Sequence, residues 1–333
     1  MRLVVSALQA QVREANQLLG ETYEILSHPQ GIFDPKVQSA VLAKMARNTV
    51  PRWHFAMLND VERNSALNAA LHAQIPAGSV VLDIGTGTGL LAMGAVKAGA
   101  SHVYTCEENP LLAEIARQIV AEHGMSDSIT VLNKRSTQLV VGRDLTRKVD
   151  VLVSEIVDCG LIGEGLLPSV RHAREHLLAS DGVMMPVAAR LYGRLVNGAA
   201  LMNLNRAGQA NGFDVSLINS AATQGHFPLR LQTWPHLMLS EAVELAAFDL
   251  RSGPLEPGGR TLAILATADG EAQALATWFE LDLGGDITLS NSPENTSSHW
   301  MQALIPLEKP APVVAGGTCS VELRWSDYSL TAS

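Results

Sequence analysis

The stretch 80-VVLDIGTGTGLLA-92 decides how this chain is read. Its first five residues are apolar except for Asp83, the pattern of a strand covered on both faces, and it then passes through Gly85, Gly87 and Gly89 into a helix-like segment. Glycines at a strand-to-helix turn let the backbone approach a ligand that any β-carbon would strike. In doubly wound sheets that turn lies beyond the strand ends, where nucleotides bind. Outward from it the pattern alternates. Strand-like runs 79-SVVLDI-84, 102-HVYTC-106, 128-SITVL-132, 149-VDVLVS-154 and 182-GVMM-185 are separated by helix-like segments such as 110-PLLAEIARQIVAEHG-124 and 168-PSVRHAREHLLA-179. Such alternation predicts a parallel sheet with helices on both faces.

Beyond Pro186 the alternation stops. The runs 260-RTLAILATA-268, 275-LATWFELDL-283, 300-WMQALIPL-307 and 319-CSVELRW-325 read as strands, interrupted near 197 to 222 by a polar interval with one short helical piece. Upstream, Leu8, Val12, Ala15, Leu18, Leu19 and Leu26 recur at helical spacing until Pro29 and Gly31, and a second short helix is expected after Asp34-Pro35. This pair reads as a packing or dimerisation element. The expected organisation is a helical segment over 1–50, an α/β domain over 51–186 and a β-barrel-like domain over 187–333.

Composition narrows the function. The 333 residues are 47% hydrophobic and 17% charged with a net charge of −9, a globular composition that lacks the clustered Lys and Arg of nucleic-acid binders. No apolar run approaches 18 residues, and the N-terminus turns polar too soon for a signal peptide, so a cytoplasmic protein without a membrane segment is expected. Cys106, Cys159 and Cys319 are too few and too scattered for a disulfide framework or a metal knuckle. The segment 172-HAREH-176 fits an inverted zincin signature but has no evident third ligand and reads as a solvated helix face, so no metal is expected.

The glycine turn itself is G-x-G-x-G, not the G-x-G-x-x-G of dinucleotide sites, since Leu90 takes the last glycine's place. With Asp83 two residues ahead, it has the pattern of S-adenosylmethionine-dependent methyltransferases of the seven-stranded Rossmann-like type. Four segments then resemble the protein arginine methyltransferase family: 54-HFAMLNDVER-63, the glycine turn, 154-SEIVDCGLIGEG-165 with two glutamates nine positions apart, and 298-SHWMQ-302. The wording is most similar to the monomethylating type III branch. Ser298 stands where the family has Thr. Gln138 stands where it has Glu, the upstream aromatic pair of the family is missing, and Trp53 and Phe55 are what that region offers.

The resemblance implies roles. S-adenosylmethionine would be held by His54, Met57, Asp83, Gly85, Gly87 and Gly89, with Arg63 forking onto its carboxylate, Glu107 on the ribose hydroxyls and Gln138 accepting from the adenine amino group. Glu155, Glu164, Asp60 and His299 would be catalytic, with Trp300 and Phe55 beside the acceptor. Chemistry supports the glutamate pair independently. A sulfonium and a guanidinium at ~4 Å repel by about 4 kcal/mol at an effective dielectric near 20, comparable to a thousandfold in rate. Two carboxylates offset that repulsion and clamp the planar guanidinium. The acceptor is arginine or an arginine-containing molecule; free L-arginine, or another small guanidino compound, and peptidyl arginine both stay open, with the small molecule favoured. A homodimer stays open as well. A regulatory protein without catalysis would have lost the acids that this chain keeps.

Overall fold

Val80–Ile84 (β1) is the middle of a five-stranded parallel sheet. Its order is β3-β2-β1-β4-β5, with β2 His102–Cys106, β3 Ile129–Leu132, β4 Val149–Ser154 and β5 Leu178–Met185. The structure, a computed structural model, describes residues 2–27 and 49–333. Val81, Leu82, Val151 and Leu152 are fully buried, each stabilising the sheet by about 1.5–3 kcal/mol through removal from water. The general fold type has seven strands. This sheet stops at five because the chain after β5 enters a second sheet.

Register is what builds the site. Ile84 lies beside Cys106 on one side and Ser154 on the other, so three strands end level. Gly85, Glu107 and Glu155 therefore leave the sheet side by side, at the crevice where the strand order reverses.

In chain order the helices up to the end of the first sheet are α1 (Arg2–Ser27), α2 (Trp53–Leu58), α3 (Val61–Gln74), α4 (Leu90–Lys97), α5 (Pro110–Glu122) and α6 (Leu166–His172) among the described residues. In α3 the buried residues Arg63, Leu67, Ala70 and Leu71 fall at i, i+4, i+7 and i+8, one helical stripe. Arg63 is thus carried inward by the same face that packs the core. The helix expected over 168–179 is shorter than read. α6 gives way to a wider π turn at Ala173–Leu177, and β5 begins at Leu178, where pairing with Val149 captures the backbone.

The second sheet has ten strands. Ala188–Asn197, Gly270–Gly284, Gln302–Val313, Leu330–Ala332, Thr318–Trp325 and Gly258–Leu265 lie in that spatial order. Ala274–Phe279 is buried on both faces, and Phe279 meets Trp300 edge to face with ring centroids 5.2 Å apart. The interval near 197–222 contains a single helical turn (Ala199–Met202), a hairpin (Gln209–Ala210 with Phe213–Asp214) and a 3-10 segment (Ser216–Ala221).

Residue contacts divide the chain into Met1–His54 and Phe55–Ser333, so both sheets belong to the second unit. Within the N-terminal unit, Leu8 and Val12 of the apolar stripe are exposed. The second helix expected after Asp34-Pro35 lies outside the described residues. No described helix is long and apolar enough to cross a membrane.

Candidate active site

The glycine turn is shaped by its neighbours. Gly85 has φ +89°, and a β-carbon there would strike the side chain of Ile156, the residue after Glu155. Gly87, at φ +52°, faces open space, and Gly89, at φ +84°, starts α4. Glu107 braces the turn: one oxygen accepts from Gly87 N–H at 3.1 Å and the other from Asn109 N–H at 2.8 Å. Each carboxylate oxygen keeps a lone pair for a further donor.

Asp83 is fully buried beneath this turn. Its Oδ2 accepts from the Thr105 hydroxyl at 2.7 Å, and Thr105 in turn meets the Thr86 hydroxyl. Its Oδ1 has no partner among the described residues, and burial, reinforced by Glu107 and Glu155, pushes the carboxyl up to about 7.

The two glutamates are held differently. Glu155 forms a buried ion pair with Arg63 Nη2, where the sequence led us to expect Arg63 to be reserved for a ligand carboxylate. Burial raises the Glu155 carboxyl despite that cation. Arg63 Nη1 donates to Asn64 Oδ1 at 2.8 Å, while its Nε is buried without a partner among the described residues. Glu164 has no hydrogen bond or ion pair among the described residues. The residue is exposed by surface area, although the bulk of protein around its carboxyl is large enough to disfavour the charged form. Burial, then the charges of Glu155, Asp158 and Glu107, push it up to about 8.

Asp60 joins two loops. Its Oδ1 caps α3 by accepting from Arg63 N–H at 2.9 Å; its Oδ2 accepts from His299 backbone N–H at 2.9 Å and lies 2.8 Å from His299 Nδ1. Burial opposes its charge, but the donors from Arg63 and His299 outweigh it and hold Asp60 below the usual carboxylate range. Burial lowers His299 against the pull of Asp60.

Not every expected residue converges. Trp300 is buried and donates its indole N–H to Val157 O at 3.1 Å, which ties it to the glutamate loop, and the Arg63 guanidinium lies 6.0 Å from its ring centroid. Phe55 is exposed on α2 and Met57 half-buried; His54 belongs to the N-terminal unit, stacked on Trp53. Gln138 is exposed, its side-chain amide unengaged among the described residues. His172 and His176 face each other with ring centroids 4.8 Å apart but form no three-residue metal cluster among the described residues.

Asn291 escaped the sequence reading. Fully buried Asn291 donates from Nδ2 to Cys159 O (3.1 Å) and Met301 O (2.8 Å), and accepts from Phe279 N–H (2.6 Å). It lies between Ser290 and Ser292, so no local pattern marks it.

The cluster suits S-adenosylmethionine. Open space at Gly87, the unpartnered donor of Arg63 and the unpartnered acceptor of Asp83 are what a cationic nucleoside bearing a carboxylate requires.

Comparisons with known proteins agree with this geometry. Residues 188–330 match the model of the arginine methyltransferase oligomerization subdomain, and 66–175 match ribosomal protein L11 methyltransferase (PrmA). An arginine N(omega)-methyltransferase of Streptomyces achromogenes subsp. streptozoticus is 60% identical over 332 residues, covering 100% of this chain and 91% of that protein. Human protein arginine N-methyltransferase 9 is 31% identical over 80% of this chain, and Arabidopsis thaliana protein arginine N-methyltransferase 1.6 is 34% identical over 74%. The alignments cover only 35% and 36% of those longer relatives. Among solved structures, the Trypanosoma brucei PRMT1 enzyme-prozyme heterotetrameric complex with AdoHcy superposes with a TM-score of 0.69 at 25% identity, over 81% of this chain and 86% of that one. Arabidopsis protein arginine methyltransferase 10 shares the fold, with a TM-score of 0.62 at 21% identity over the same shares of each chain. Identity of that depth along the whole chain, on a fold whose strand ends gather these acids, means that this chain belongs to the arginine methyltransferase family and is an S-adenosylmethionine-dependent enzyme.

Proposed function

We propose that the enzyme places a single methyl group on an ω-nitrogen of free L-arginine. The observation that carries this reading is the relative that aligns along the entire chain, which is named for arginine itself, whereas the curated relatives named for protein arginine align over 35–46% of their own length. The matched oligomerization subdomain also favours a homodimer.

S-adenosylmethionine supplies an electrophilic methyl on a sulfonium. Gly85, Gly87, Gly89, Asp83 and Glu107 would hold it, with Arg63 toward its carboxylate and Gln138 toward its adenine. Glu164 and Glu155 accept N–H bonds from the guanidinium, neutralise it and turn one nitrogen toward the methyl. A carbon–nitrogen bond forms as the carbon–sulfur bond breaks, and that nitrogen sheds a proton. Glu164 suits the role of acceptor, because its carboxyl lies near neutral pH before cations arrive. Asp60 and His299 steady the start of α3, and through it Arg63 and Glu155.

The test is direct: labelled cofactor with free L-arginine or with an Arg-Gly peptide, products resolved by mass. One methyl on free arginine is expected; transfer to the peptide with free arginine inert would overturn the acceptor assignment, and two methyls on arginine would overturn the limit.

The raised Glu164 also predicts proton release. A protonated carboxyl cannot neutralise a guanidinium, so arginine binding without cofactor should expel about one proton at pH 7, below the Glu164 value, and few at pH 9, above it. Calorimetry in buffers of different ionisation enthalpy counts those protons, and a pH-independent count of zero would refute the assignment.

A further inference from the structure

Between the two glutamates, Asp158 organises the loop from within. Its Oδ1 accepts from Gly163 N–H at 2.8 Å and from Gly160 N–H at 3.2 Å, and its Oδ2 lies 2.6 Å from Nε2 of His226, 68 positions away. The side chain of His226 is 6% exposed. Its Nδ1 accepts from the backbone N–H of Leu330 at 3.1 Å, in the last strand of the second sheet. A backbone N–H can only donate, so Nδ1 presents its lone pair and the ring proton sits on Nε2, pointing at Asp158. The glycines of the loop make room for this contact: a β-carbon on Gly160 would strike the His226 ring, and one on Gly163 would strike the Asp158 carboxylate.

The same atoms invite a metal reading, since one ligand atom from each of Asp158, Cys159 and His226 lies within 4.8 Å of the others. The tautomer argues against it. A cation on Nε2 would displace the only ring proton while Leu330 N–H still occupies Nδ1, leaving an imidazolate. Burial and the neighbouring Asp158 also hold the Cys159 thiol well above its ordinary value, in its poorly ligating form.

We propose that His226 is a positioning residue for methyl transfer: by donating Nε2–H to Asp158 it fixes the turn through Gly160 and Gly163, and so sets the separation of Glu155 and Glu164. The inference rests on reading those glutamates as the guanidinium clamp. Misplacement of a reacting group by ~1 Å costs about a hundredfold in rate, so His226→Gly should lower kcat on that order while cofactor affinity and far-UV circular dichroism stay as in the parent. Added imidazole should restore much of the lost rate. His226→Gln, whose amide donates in the same direction, should retain most activity. Asp158→Asn turns an amide donor toward the Nε2–H and should match His226→Gly, with the double variant no worse than either.

Parental kcat in His226→Gly would overturn the proposal. So would loss of cofactor affinity in parallel with kcat and no response to imidazole, the mark of a merely structural residue, or loss of parental activity on chelation, the mark of a metal. An active Glu164→Gln would instead break the clamp reading beneath it, which separates the two failures.

Discussion

Glu164→Gln is expected to reduce kcat/KM for arginine by about a thousandfold, with cofactor affinity nearly unchanged. The substitution keeps shape, removes the charge and turns one acceptor oxygen into an amide donor. Glu164 is the cleaner of the two acids to change, because it has no partner among the described residues, whereas Glu155 is tied to Arg63. Without the Glu164 carboxylate, the guanidinium meets the methyl donor with a single counter-charge, already shared with Arg63. The repulsion of about 4 kcal/mol between two cations at ~4 Å then falls on the reaction. Steady-state kinetics with a separate measurement of cofactor binding decides the matter; turnover within about tenfold of the parent would show that the charge of Glu164 is not what the reaction uses.

Arg63→Leu should destabilise the ligand-free protein by about 3–5 kcal/mol, because it leaves Glu155 buried without a counter-charge. The ion pair is enclosed, with both side chains at most 5% exposed, so solvent screens it little. Adding Glu155→Gln to Arg63→Leu should recover much of that loss, since no charge is then stranded. Activity should not return. Urea unfolding of the parent, both single variants and the double variant tests this, and strictly additive losses would mean that the pair is not coupled. Recovered stability without recovered turnover would separate what Arg63 and Glu155 do for the fold from what they do for the reaction.

The parts legible in the sequence are those with local physical causes. The glycine turn announces itself because Gly85, Gly87 and Gly89 all take positive φ, and the parallel sheet because its buried strands form continuous apolar runs. Asp60 and His299 were both assigned to the reaction from the family resemblance, and the structure joins them at 2.8 Å. The start of β5 was misplaced because Leu178 is drawn into the sheet by pairing with Val149, a contact that no local pattern encodes. Trp300 was placed beside the acceptor by the family resemblance, while its burial against Phe279 and its bond to Val157 O are contacts that no local pattern encodes. Asn291 and His226 were missed for a similar reason: they act on the glutamate loop across 132 and 68 positions, and a lone Asn or His carries no spacing to read.

The tethers of the glutamate loop also bear on the order in which the enzyme is made. His226, Asn291, Trp300 and Leu330 are all synthesised after the glycine turn and both glutamates. Domains tend to fold as they emerge, N-terminal portions first. A nascent chain can therefore shape its cofactor turn early, while the clamp stays unset until the strand that carries Leu330 has emerged and paired. Catalytic competence waits on that pairing.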